Sequence, residues 1–212
     1  MTVALPEPEF FTMSPIKVSL LLAGALALAP LLRAADLIDI DNVKFNGLRD
    51  DWVQMEIELS CGGNPLPEAR SSRFVDDIKV TAYLAYEIDA SAREFDFYSA
   101  EVEIVAMEQG DNANVYFFMP GVVVKRDNLP DDPYFYIVEV AIGGRTLPLD
   151  DDGVGSRFRG NEAAINSLRE KAISEGAKNR FILMPPYLAP VGGLGARMQD
   201  LPVFVRREAE AR

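Results

Sequence analysis

The sequence predicts a mainly β domain made of two packed antiparallel sheets, with one late helix. Three observations lead there. Apolar and polar residues alternate with period two in run after run from Leu37 to Glu108, clusters of turn-forming residues separate the runs, and helical spacing is convincing only in Asn161–Glu175 of the region beyond residue 35.

The first run, Leu37–Phe45, carries Ile38 and Ile40 on one phase and Val43 and Phe45 on the other, so a bulge is expected at Asp41-Asn42. In Trp52–Cys61, Val53, Met55, Ile57, Leu59 and Cys61 share one face, while Gln54, Glu56, Glu58 and Ser60 share the other, the pattern of a half-buried antiparallel strand. After the loop Gly62-Gly63-Asn64-Pro65, Ile78–Ile88 aligns Ile78, Val80, Ala82, Leu84, Tyr86 and Ile88. Tyr98–Glu108 does the same with Ala100, Val102, Ile104 and Ala106. The turn Gln109-Gly110-Asp111-Asn112 predicts a hairpin from that strand into Val115–Lys125.

Val115–Met119 and Tyr134–Ile142 differ in kind, because both of their faces are apolar. Such strands either lie in a sheet covered above and below or present a binding surface. The candidate cover is Asn161–Glu175, with Asn161 as N-cap, Glu162 in the first turn, a stripe of Ile165, Leu168, Ala172 and Ile173, and Gly176 as the stop. Gly143-Gly144 predicts a second hairpin, from Tyr134–Ile142 into Arg145–Leu149. Phe181–Met184 and Val203–Val205 read as short closing strands on either side of the Pro- and Gly-rich stretch Pro185–Gly195. Nine candidate strands with one late helix fit an immunoglobulin-like antiparallel β-sandwich. The Cys, Trp, Cys signature of antibody domains is absent, since Trp52 and Cys61 fall in one strand.

Ahead of the domain, the apolar run Val18–Leu32 is shorter than the roughly 20 residues a spanning helix needs and is interrupted by Pro30. With Lys17 before it and Arg33-Ala34-Ala35 after it, the run reads as a helical signal peptide covering residues 1–35. Glu7 and Glu9 are out of place in a leader, so Met13 is the expected true start, and cleavage is expected after Ala34 or Ala35. No cysteine follows the run, which disfavours a lipid anchor. Residues 36–212 then form one domain, exported and without a transmembrane anchor.

The net charge of −12 repels phosphate backbones and anionic head groups, so nucleic acid is not an expected partner. Cys61, the single cysteine, cannot form an intrachain disulfide and is in register with core positions. With no histidine, Ser-His-Asp and Cys-His catalysis and histidine-ligated zinc are excluded. Paired-carboxylate chemistry survives on composition, yet Glu56, Glu58, Glu101 and Glu103 alternate with core residues and face solvent rather than each other. Asp150-Asp151-Asp152-Gly153 does not fit a calcium loop, because Arg159 would occupy the twelfth position. The Gly192-Gly193-Leu194-Gly195 stretch follows no phosphate-binding pattern. The expectation is therefore no enzyme, no metal and no cofactor.

On the opening LIDIDNVKFNG, the strand WVQMEIELS and the block from DDIKVTAYLAYEI to NVYFFMPGVVVKRDNLPDDPYFYIVEVAIGG, the chain resembles pilus-like, immunoglobulin-fold exported proteins. These are encoded beside type IV pilus-like assembly genes in Verrucomicrobia of the Akkermansia type. The resemblance implies a non-enzymatic protein working with a pilus or secretion-like apparatus in the periplasm, at the outer membrane or on the cell surface. It supplies no catalytic or binding residues to carry over. The chain lacks the long N-terminal hydrophobic helix of polymerising pilins, so an accessory part is the better fit.

Three functional expectations follow. The leading one is an interaction protein that docks protein partners, or a second copy of itself, through sheet edges or an aromatic face. Tyr116, Phe118, Phe135 and Ile137 are the candidate binding residues if the helix leaves that face open, and core residues if it covers them. The alternative is a module for glycans or other ligands, using aromatic rings as platforms. A carboxylate-based periplasmic hydrolase ranks third.

Overall fold

A computed structural model of the chain describes residues 37–67 and 69–206, all of them within one compact unit. The proposed leader and the proposed start at Met13 lie outside the described residues. Among the described residues, seven strands form two antiparallel sheets. The strands are β1 (Ile38–Gly47), β2 (Val53–Cys61), β3 (Phe74–Asp89), β4 (Glu94–Glu108), β5 (Asn112–Met119), β6 (Phe135–Ile142) and β7 (Arg145–Thr146). One sheet has the order β1-β2-β5 and the other β4-β3-β6-β7. In immunoglobulin lettering this is A-B-E against C′-C-F-G, so the predicted sandwich class is correct and its topology is defined.

The core lies between the sheets, where alternate residues of every long strand meet. Met55, Ile57 and Leu59 of β2 and Val115 and Phe117 of β5 are packed with Ile78, Val80 and Leu84 of β3 and Ile104 of β4. The bulge expected in β1 is present, since the register against β2 shifts between Ile40 and Asn42. Strands β3 and β4 extend beyond the alternating runs. Asp77 takes a left-handed φ of +53°, and the buried phase slips there from Ile78 to Val75, with Met107 rather than Ala106 as the buried residue opposite. Ile88, expected in the core, sits at the exposed end of β3.

Four predicted elements are corrected. Residues 109–112 do not close a hairpin, because β4 and β5 belong to different sheets. Gly110 donates its N–H to the Cys61 carbonyl at 2.8 Å and Cys61 donates to the Asp111 carbonyl at 3.0 Å, so the turn delivers β5 to the side of β2. Pro120 ends β5 early, and Gly121–Asp127 is helical (α1) rather than a continuation of the strand. Phe181–Met184 and Val203–Val205 make single antiparallel bridges, Met184 with Phe118 and Phe204 with Ile104, so seven strands replace the nine expected.

The expected helix is α2 (Glu162–Ser174). Its N-cap is Asn161, whose side-chain oxygen accepts from the Ala164 N–H at 3.1 Å, a contact typically worth about 1 kcal/mol. Ile165, Leu168 and Ala172 are buried, whereas Ile173 is 62% exposed and falls outside the stripe. Gly176 does not stop the helix. A 3-10 turn, Glu175–Asn179, follows directly, and Gly176 within it packs so closely on β4 that a Cβ would lie 3.2 Å from the Phe97 carbonyl oxygen.

Candidate functional site

Tyr116, Phe118, Phe135 and Ile137 do not share one face. They occupy the outer faces of opposite sheets, and each pair has its own cover. On the outer face of β6, Ile137 is fully buried and Phe135 half-buried, packed with Ile165, Leu168 and Ala172 of α2. Glu139 and Arg169 clamp that helix to the sheet, with Arg169 Nε donating to Glu139 Oε1 at 2.6 Å. On the outer face of β5, Tyr116 and Phe118 are 1% and 0% exposed, and their cover is the C-terminal segment with Met184, Leu194 and Met198. The expectation that α2 would serve both strands is thereby corrected.

The C-terminal segment acts as a strap. Phe118 and Met184 exchange both backbone hydrogen bonds, at 2.8 and 2.9 Å, and the Asn114 N–H donates to the Asp200 carbonyl at 2.9 Å. Gln199 donates its N–H to the Tyr116 hydroxyl at 3.1 Å, and burial pushes that phenol above its ordinary pKa. Gln54, read from the alternation as a solvated residue of β2, is instead 3% exposed and donates through Nε2 to the Arg197 carbonyl at 3.2 Å. Farther on, the strap reaches the other sheet, where Val105 N–H donates to Val203 and Val205 N–H to Glu103, both at 2.8 Å. One strap therefore seals the outer edges of β5 and β4.

On the other side of the second sheet, short segments complete the edge of β6. Beyond β6 lie the short β7 and then Val154, which bridges Ile137, with the Val138 N–H donating to Gly153 at 2.8 Å and Gly155 N–H to Tyr136 at 3.1 Å. Strand β1 differs. Among the described residues β2 is its strand partner, and on its other side the Ile40 N–H donates to Asp150 Oδ2 at 3.4 Å. An unpaired edge is a template for another strand.

Two cavities follow this edge. The first, of about 400 Å³, lies between Ile38 and Ile40 of β1 and Val138, Val140 and Leu147, and Asp39, Asp150 and Asp151 border it. The second, of about 470 Å³, lies between Val43 and Phe45 of β1 and Tyr136, and Tyr134, Asp132 and Arg157 border it. Phe45 and Tyr136 touch with ring centroids 5.3 Å apart, and the Arg157 guanidinium lies 4.2 Å from the Tyr134 ring centre. Sequence reading missed this site because its residues come from β1, β6 and the loop 147–157, which no local pattern connects. The bulge at Asp41 and the loss of alternation after Thr146 were the available signals.

The acidic turn has structural work. Asp150 Oδ1 accepts from the Asp152 N–H at 3.0 Å, and Asp152 pairs with Arg159 at 3.1 Å. Among the described residues no group of three or more Cys, Asp or Glu is placed to hold a metal ion. The Cys61 thiol is buried, with Sγ 3.7 Å from the Met107 carbonyl oxygen, and burial raises its pKa, which suppresses the reactive thiolate. No described helix is long and apolar enough to cross a membrane.

No family model and no curated protein matches the chain. Among solved structures it is similar to one from Akkermansia muciniphila, with a TM-score of 0.56, 16% sequence identity, and coverage of 81% of this chain and 94% of that one. At such identity the likeness speaks for the fold.

Proposed function

We propose that the chain is a non-enzymatic, exported interaction protein of the cell envelope, an accessory to a type IV pilus-like or secretion-like apparatus. Residues 1–35 serve as its leader, and residues 36–212 as its single working domain. The observation that carries this reading is the contrast among the long edge strands, with β1 lacking a second strand among the described residues and bordering two cavities, while β4 and β5 are strapped. Backbone hydrogen bonds along such an edge supply affinity, and cavities beside it supply selectivity. The sequence resemblance to pilus-like proteins supports the same assignment, and the structural likeness to an Akkermansia muciniphila protein supports the fold it requires. The proposed partners are proteins of that apparatus.

A glycan-binding module is the second reading, favoured by the cavity where Phe45, Tyr134 and Tyr136 stand near Asp132 and Arg157. A photoreactive residue at Val43, introduced in cells that make the protein, tests the choice. Covalent adducts with envelope proteins of a pilus-like assembly are expected. Retention of the chain in the cytoplasm, or glycan-array binding without any protein adduct, would reject the proposal.

A further inference from the structure

Building on that interaction reading, we infer that β1 accepts an extended, basic segment of a partner protein as an additional antiparallel or parallel strand, seated by two apolar side chains four residues apart. The spacing comes from the register. Ile40 beside the first cavity is opposite Leu59, and Phe45 beside the second is opposite Met55, so the bulge reduces the separation to four residues on an unbulged neighbour. At about 3.3 Å per residue this is roughly 13 Å, and positions four apart on a strand project to the same side. An added strand would thus aim two side chains into the two cavities at once.

Charge selects the occupant. Every charged residue bordering the first cavity is an acid, Asp39, Asp150 and Asp151, and the whole chain carries −12. A segment with Lys or Arg near that end is attracted at long range and pairs on arrival. A second copy brings another −12 and is repelled. The bulge at Asp41 and the outward Lys44, which pairs with Glu58, deter indiscriminate edge-to-edge pairing, leaving the cavities to choose the partner.

Selection of phage-displayed nine-residue segments against the full chain tests this. The expected winners alternate apolar and polar residues, place two large apolar side chains four apart, and carry Lys or Arg at one end. A synthetic copy of the winner should lose about tenfold or more in affinity when alternate backbone nitrogens are methylated, the loss of roughly one hydrogen bond or more. Against the Asp150→Asn/Asp151→Asn chain, in which the single amide oxygen at residue 150 keeps one of the two bonds from Ile40 and Asp152, the preference for basic ends should vanish. Failure to enrich, enrichment of acidic segments, binding indifferent to N-methylation, or self-adducts from Val43 would each overturn the inference. If enrichment fails while envelope-protein adducts at Val43 persist, this segment chemistry is wrong and the interaction reading stands. If both are lost, both fall.

Discussion

The two long sides of the sandwich are closed by different means. On the side where β5 and β4 are the outer strands, one C-terminal strap supplies backbone partners to both sheets and side chains over Tyr116 and Phe118. On the side of β1 and β6, the loop after β7 finishes the β6 edge and contributes one carboxylate to β1. The strapped side is part of the folded core in all but name. The other side is bordered by a strand that lacks a second strand partner among the described residues, and the difference shows that the two edges of one sheet can be finished to very different extents.

The largest test of the contrast lies at Phe118. Phe118→Asp places a charge where no water reaches and is expected to abolish folding, and Phe118→Ala should cost about 3–5 kcal/mol in urea denaturation. On β1, Val43→Thr should cost about 1 kcal/mol or less, because Val43 is only half-buried. Equal costs at the two positions would erase the distinction.

The next largest effect is expected at Gly153, where a Cβ would stand 2.8 Å from Ile40 Cδ1 and 3.1 Å from the Val138 carbonyl oxygen. Gly153→Val should cost about 1–3 kcal/mol and loosen the β1–β6 side while leaving the strap in place. Near-ultraviolet circular dichroism and two-dimensional NMR would show shifts at Phe45 and Tyr136 but not at Tyr116.

Removing the clamp on α2 should have a smaller effect. Arg169→Ala leaves Glu139, whose side chain is 12% exposed, without its cation, and about 1–2 kcal/mol of stability should be lost. Glu139→Gln/Arg169→Gln should restore part of it.

The smallest effect is set by pH. Hydrogen bonding to the Arg126 guanidinium holds the Asp127 carboxyl below its ordinary value of 3.8. A depressed carboxylate stabilises the fold above its unfolded pKa, and that contribution fades as pH falls from about 4 through the lower folded value. Asp127→Asn should flatten the acid limb of a stability-against-pH curve by about 1 kcal/mol or less and leave stability above pH 6 nearly independent of pH.

Much of the fold was legible in the sequence because alternation is a local consequence of burying one face. It located β1 to β4, and the phase slip at Asp41 marked a real bulge. The two-sided strands were also recognised, with cover and a binding surface as the two alternatives. Which cover serves which strand was not legible. The strap carries Met184, Leu194 and Met198 at irregular spacing across Pro- and Gly-rich sequence, so no period betrays its buried face. Nor could local turn chemistry tell that residues 109–112 join different sheets, since that depends on Cys61 as a distant hydrogen-bond partner. The site fared worst for the same reason, being the product of three segments brought together only by the sandwich.

Native-state amide hydrogen exchange along the sheet edges separates a strapped edge from an open one. Phe118 and Val105, whose amides donate to the strap, should exchange only through opening of the strap or of the whole domain. The outward-facing amides of Asn42–Gly47 should exchange orders of magnitude faster, at rates set by local solvent access. Protection of every amide in β1 to the level of Phe118 would mean that its edge is already occupied, which would contradict a free docking edge.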